Sequence, residues 1–205
     1  NKPYAFNVCR IEPENNVHLI LEAFSHTDKI PLVIVGNWNN SQYGIALKQK
    51  YFNHSNIHML DPIYDQQKLD ELRCNASLYI HGHSAGGTNP SLVEAMYMGL
   101  PIMAYGVSYN RVTTENKAIY FKSIQELITE INEMYTSKLL KIGIEMSEIA
   151  KRRYTWKNIS FKYELLIHEA WQSEDKMNVE TETKKIPYEK LLQLGEAHLK
   201  INSNF

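Results

Sequence analysis

Short apolar runs alternate along this chain with stretches whose apolar residues recur every three or four positions, and the two periods mark strands and helices in turn. Residues 4–9 open as a strand that delivers Arg10 to its carboxyl end, and Pro13 starts a helix with Val17, Ile20, Leu21 and Phe24 on one face. The nearly continuous apolar run 31–36 predicts a strand buried on both faces, with 36–40 as its loop and a helix over 41–52. Residues 56–60 form a third strand and 61–64 a turn, after which Asp65 caps a helix carrying Leu69 and Leu72. A fourth strand over 78–80 leads through a glycine-bearing loop, 82–88, into a helix over 90–98 that Gly99 closes. Strands over 101–104 and 119–121, a polar loop over 108–116, and helices over 124–135, 139–153 and 156–172 complete the body.

Strands and helices alternating at this spacing predict an α/β fold, a doubly wound (Rossmann-like) parallel sheet of about six strands with right-handed crossovers. Ligands of such sheets lie outside the carboxyl ends of the strands, where the strand order switches. Arg10 and the loops 36–40, 61–64, 82–89 and 108–116 all follow strands and are expected to converge there. The pattern changes after residue 172. Residues 173–185 read as a polar linker, and 187–201 as an amphipathic helix using Tyr188, Leu191, Leu192 and Leu199.

The stretch 77–104 organises the rest. Asn89 suits an N-cap and Pro90 the first helical position, where a missing N–H costs nothing. The helix start, its dipole, and the bare backbone of Gly82, Gly86 and Gly87 would together favour an anion such as a diphosphate. Glu94, one turn in, lies beside Pro90 and Ser91 and can face the same mouth. The alternative is an ordinary glycine-rich connection with Glu94 solvated.

Composition narrows the function. At 205 residues, 43% hydrophobic and 22% charged, the chain can bury a full core, and a formal charge of −1 without basic blocks argues against a nucleic-acid surface. Lys151-Arg152-Arg153 reads as a helix C-terminus favoured by the dipole. Two cysteines, Cys9 and Cys74, read as reduced thiols, and no run reaches transmembrane length or forms a signal sequence, so a cytoplasmic protein is expected. His81 and His83 have a spacing seen in some metal sites, but no Cys or carboxylate completes a ligand set, so no metal or other cofactor is expected.

Several motifs carry a resemblance. Cys9-Arg-Ile-Glu-Pro-Glu-Asn15, the strand ending in Gly36, Asp61-Pro-Ile63, Gly86-Gly-Thr-Asn-Pro-Ser-Leu-Val-Glu-Ala-Met96 with Gly99-Leu-Pro101, and Tyr154-Thr-Trp156 together resemble the C-terminal donor-binding domain of GT-B retaining glycosyltransferases of family 4. The Gly-Gly-Thr-Asn-Pro-Ser variant, after His81-Gly-His83, is most similar to a bacterial subgroup that includes rhamnosyltransferases of surface polysaccharide assembly. The resemblance implies one half of a GT-B architecture, with 1–172 as the nucleotide-sugar-binding domain and 173–205 crossing back to an N-terminal domain missing from this sequence. It places Arg10 on the diphosphate and Glu94 on the ribose, as the catalytic centre, and implies that Ile63 fixes the base through its backbone while Tyr64 stacks. Two positions depart from the pattern: Asn15 stands where a lysine is usual, and Gly86 where the first of two glutamates is usual. The backbone of Gly86, Gly87, Thr88 and Asn89, the Ser91 N–H, or His83 would then replace those contacts. Trp38 is either packing beneath its loop or a ligand platform, and Arg111 and Glu115 in the polar loop are weaker candidates.

The expected activity is transfer of a sugar, with dTDP-rhamnose as donor, onto a glycan or lipid-linked acceptor held mostly by the missing domain. Peripheral membrane association of the full-length protein is compatible with that role, and this chain alone is expected to be inactive. The alternatives are a non-catalytic nucleotide-binding module, which Asn15 and Gly86 favour, and a sugar-nucleotide epimerase of the same architecture.

Overall fold

The structure, a computed structural model, describes residues 3–172. The linker and helix expected over 173–205 lie outside the described residues. The elements are β1 (Ala5–Val8), a 3-10 turn (Pro13–Asn15), α1 (Val17–Ser25), β2 (Leu32–Val35), α2 (Gln42–Tyr51), β3 (Ile57–Leu60), α3 (Gln66–Cys74), β4 (Leu78–His81), α4 (Pro90–Tyr97), β5 (Ile102–Tyr105), α5 (Ser108–Thr113), β6 (Ile119–Phe121), α6 (Ile124–Glu133), α7 (Thr136–Arg153) and α8 (Trp156–Gln172). The chain divides after Ile149 into two compact units, a division inside α7 that the sequence pattern does not signal. The sheet belongs to the first unit and α8 to the second.

All strand pairs are parallel, in the order β3-β2-β1-β4-β5-β6. Chain direction therefore turns outward both ways from β1 and β4, which defines the switch point between them. Every residue of β4 is buried, as expected of a parallel strand covered on both faces. The predicted caps form: the Asp65 side chain accepts from the Lys68 N–H at 3.2 Å, and that of Asn89 from the Ser91 N–H at 3.0 Å.

Two segments differ from expectation. Pro13 opens only a 3-10 turn, because Asn16 takes a left-handed backbone (φ 49°) that short polar side chains tolerate, and α1 restarts after it. Most of the polar stretch 108–116, Ser108–Thr113, is a short helix and not a loop. Its polar residues satisfy the backbone instead of facing a ligand: the Asn110 Nδ2 group donates to the carbonyls of His83 and Tyr105, both at 2.9 Å, and the Thr113 and Thr114 hydroxyls donate back to Tyr109 and Asn110.

At the switch point the two central strands part. β1 and β4 pair only at Ala5 with Leu78 and Phe6 with Tyr79. One residue further, the buried Asn7 side chain spans the widening gap, its Nδ2 donating to the Ile80 carbonyl at 2.7 Å while its Oδ1 accepts from the Cys9 thiol at 3.2 Å. A side-chain amide thus takes over where the ladder stops, and the crevice can open without stranding a buried carbonyl. Asn7→Ala removes that donor and is expected to cost about 1–3 kcal/mol of stability, the penalty for a buried acceptor left unpaired, read as a lower urea midpoint at unchanged slope.

Candidate functional site

The opening between β1 and β4 is roofed by two loops that are tied together residue by residue. The Ser84 N–H and hydroxyl donate to the Glu14 carbonyl at 2.8 and 2.9 Å, the His83 Nδ1 lies 2.6 Å from the Asn15 Oδ1, and the Asn16 Nδ2 donates to the Gly82 carbonyl at 2.8 Å. Gly82 is required for this approach, since a Cβ there would run into the Asn15 carbonyl oxygen. Its bare backbone is therefore spent on packing against the turn, not on an anion.

Two adjoining clefts of about 350 Å³ each share Val8, Cys9 and Arg10. Toward α4 the wall is formed by Asn15, His83, Asn89, Ser91, Glu94 and, from α3, Arg73. Toward β2 and β3 it is formed by Gly36, Asn37, Asn40, Ile63 and Tyr64. Arg10, His83, Asn89, Ser91, Glu94, Ile63 and Tyr64 are thus brought together as the sequence implies. The Arg10 side chain is 75% exposed and, among the described residues, pairs only with Glu12, at 3.4 Å, so its guanidinium is open to a ligand. Tyr64 is 91% exposed, leaving its ring open for stacking.

Other assignments change. Trp38 is fully buried and its indole N–H donates to the Leu60 carbonyl at 2.8 Å, so it packs under its loop and offers no platform. The Ser91 N–H and hydroxyl both donate to the Asn89 Oδ1, at 3.0 and 2.7 Å, so the cap already occupies the amide expected to meet an anion. The Asn89 Nδ2 group, on a residue that lines the cleft, makes no hydrogen bond among the described residues. Gly86 has a φ of +106°, a backbone that side chains rarely adopt, and a Cβ built on it would lie 3.4 Å from the His83 Nε2. His83 therefore stands beside the position where a glutamate is usual. Gly87 is open on all sides, and the Thr88 hydroxyl lies 3.4 Å from that of Thr113, on the α5 side of the loop. Arg111 stacks its guanidinium 4.0 Å over the Tyr120 ring, and neither it nor Glu115 lines the clefts.

Asn15 explains how the turn works without a lysine. Its Nδ2 donates to the Arg10 carbonyl at 2.8 Å, so its Oδ1 is left to accept from the His83 Nδ1–H. That fixes the neutral tautomer of His83, with Nε2 as an acceptor. Burial holds the His83 pKa below its usual value; Glu14 opposes this and Arg10 reinforces it. His81 is buried and neutral, pulled down to about 3 by burial and by His83. Burial pushes the Cys9 thiol up to about 12, which removes it as a nucleophile. Among the described residues no group of three or more His, Cys, Asp or Glu could hold a metal ion, and no helix is long and apolar enough to cross a membrane.

Arg73 and Asn7 were not foreseen. Arg73 follows Leu69 by four residues and so sits on the apolar stripe of α3, where a charged residue is the signal of a buried ion pair. Its side chain is 1% exposed and forks between the Asp70 Oδ1 and the Glu94 Oε2, each at 2.7 Å. Glu94 is consequently neither a free surface carboxylate nor an unassisted ligand group.

Comparison with known proteins agrees with this architecture. Residues 1–153 match the family model described as Glycosyl transferases group 1. No curated protein matches the chain. Among solved structures it resembles sucrose-phosphate synthase from Thermosynechococcus elongatus, with TM-score 0.73 and 17% identity over 83% of this chain and 46% of that one. It also resembles Anabaena HepE, solved with UDP and glucose, with TM-score 0.70 and 18% identity over 82% of this chain and 49% of the other. The C-terminal domain of a glycosyl transferase group 1 family protein, LpcC, from Francisella tularensis gives TM-score 0.65 and 17% identity over 76% of this chain and 89% of that domain. The chain spans about half the length of the first two. At these identities the likeness is one of fold, a Rossmann-like domain as found in GT-B glycosyltransferases. The family model covers most of the 205 residues, and the chain belongs to the glycosyl transferases group 1 family.

Proposed function

We propose that the paired clefts bind a nucleotide-sugar donor and that this chain is the donor half of a glycosyltransferase. The meeting of Arg10, the mouth of α4 and Glu94 at the switch in strand order carries the reading. Glycosyl transfer leaves negative charge on the departing diphosphate. Arg10, the Asn89 Nδ2 and the positive end of α4 are preorganised to stabilise that charge without a metal. On the other side of Arg10, the Ile63 backbone and the Tyr64 ring receive the base, while Glu94 accepts from the ribose. An acceptor, a glycan or a lipid-linked carrier, approaches from a second domain, with any membrane contact made by the whole protein. The free thiols of Cys9 and Cys74 favour a cytoplasmic setting.

The Gly86-Gly-Thr-Asn-Pro-Ser91 variant supports dTDP-rhamnose as the donor, in synthesis of bacterial surface polysaccharide. Anabaena HepE and the pneumococcal O-GlcNAc transferase GtfA, both solved with UDP, make a UDP-sugar the competing donor. Calorimetric titration with dTDP, UDP and GDP chooses between them, and absence of binding to all three removes the reading. A second reading, binding without catalysis, is favoured by Asn15 and Gly86, which leave the site one cation and one carboxylate short of the usual pattern. Product analysis of the full-length protein with donor and acceptor separates transfer from binding alone.

Arg10→Ala is expected to weaken diphosphate binding by about 1.5–3 kcal/mol, the range for hydrogen bonds to charged groups, with an unchanged melting temperature because the side chain is exposed. Titration with pyrophosphate and thermal unfolding measure both effects.

His83 gives a pH-dependent expectation. Its unprotonated Nε2 accepts from a hydroxyl of the donor sugar, beside Gly86. The folded pKa lies below the ordinary value of 6.5, so the contact is complete at and above that pH and is lost as pH falls through the folded pKa. The gain in affinity of the nucleotide-sugar over its free nucleotide should therefore shrink on acidification in wild type and be flat with pH in His83→Phe. Arg10, Glu14, His81 and Tyr109 surround the ring, and subtracting the free nucleotide cancels their effect on the diphosphate.

A further inference from the structure

We infer that Arg73 is a positioning residue for nucleotide recognition, holding Glu94 in the one orientation that can read the ribose; this role rests on the donor-site reading above. The guanidinium is buried in the cleft wall, while its two carboxylate partners reach solvent, Asp70 with its side chain 35% exposed and Glu94 with 47%. A planar fork is the group that can bond two carboxylates on different helices at once, and it keeps its charge at any accessible pH. Asp70, three residues away on α3, fixes the guanidinium plane. The other arm then reaches across to α4 and takes the Glu94 Oε2.

The consequence lies on the remaining oxygen. With Oε2 committed to Arg73, Oε1 has no hydrogen-bond partner among the described residues, and its lone pairs are open to ligand hydroxyls. An unassisted glutamate on the first turns of a helix would sample several rotamers, and binding would have to remove that freedom. Arg73 removes it beforehand. The cleft thus carries two cations with separate tasks: exposed Arg10 meets the ligand, and buried Arg73 sets the acceptor.

The test is calorimetry on the 205-residue chain with UDP, dTDP and pyrophosphate, for wild type, Arg73→Met, Glu94→Gln and the double variant, with melting temperatures alongside. Arg73→Met is expected to weaken the better of the two nucleotides about tenfold, the equivalent of one charge-assisted bond, while pyrophosphate changes by less than about twofold. In the Glu94→Gln background the same substitution should cause no further loss, because Arg73 acts through Glu94. Equal losses for nucleotide and pyrophosphate, additive losses in the double variant, or unchanged affinity would each overturn the role. If Arg73→Met does not fold, Arg73→Lys carries the test. It keeps the charge and most of the volume but cannot span both carboxylates, and should show the same selective loss in a folded protein. A lysine variant that binds like wild type removes the role of Arg73 alone, whereas a wild type that binds neither nucleotide removes the donor-site reading and this inference with it.

Discussion

The strap between residues 14–16 and 82–84 is the constraint on which the site depends. Three consecutive residues of the β1–α1 turn bond three consecutive residues of the β4–α4 loop, in reverse order, across the point where their strands separate. Each bond is modest by itself, about 1 kcal/mol net, but together they fix two loops that would otherwise move independently. The register they impose sets Arg10 against the start of α4. It also places His83 beside Gly86. A doubly wound sheet guarantees a crevice; the strap determines which side chains look into it.

The charge distribution follows from the same geometry. In the pattern that this chain resembles, two cations flank the diphosphate, and here one of those positions is Asn15, buried and engaged in the strap. The positive charge that remains is divided between an exposed arginine and a buried one. Arg73 is held by two carboxylates, so its field at the ligand is largely cancelled and its effect is geometric. At α4, too, the Asn89 cap occupies the first free amide, that of Ser91. The polar lining of this crevice is therefore made of side-chain amides and a histidine as much as of formal charge. Such a site depends less on ionic strength than one built on several lysines.

The sequence determined most of the architecture. Near-continuous apolar runs such as 31–36 report strands buried on two faces, and Ser, Asp and Asn before helical periods report caps, because both signals come from contacts within a few residues. The glycine, Asn89 and Pro90 pattern and the resemblance pointed to the start of α4, Arg10 and Glu94, and in the structure Arg10, Asn89, Pro90 and Glu94 line one cleft. What local pattern misjudged were polar residues with distant partners. Residues 108–116 look like a ligand loop, yet Asn110 is turned inward to the His83 and Tyr105 carbonyls. Sequence alone allows Trp38 to be either platform or packing, and the Leu60 carbonyl, which accepts from its indole N–H, decides for packing.

Tertiary structure alone decided the roles of Asn7, Asn15 and Arg73. Asn7 matters because two strands stop pairing beside it, 73 residues apart in sequence from the carbonyl it satisfies. Asn15 reads as a lost cation in the sequence and becomes the residue that sets the His83 tautomer only when the two loops meet. Arg73 lies 21 residues from Glu94, on a different helix, and no periodicity links them. Hydrophobic period is a property of one element and survives in the linear sequence. The pairing of buried polar groups is a property of how elements dock, and it is specified only once strand order and loop register bring the partners within a hydrogen bond of each other.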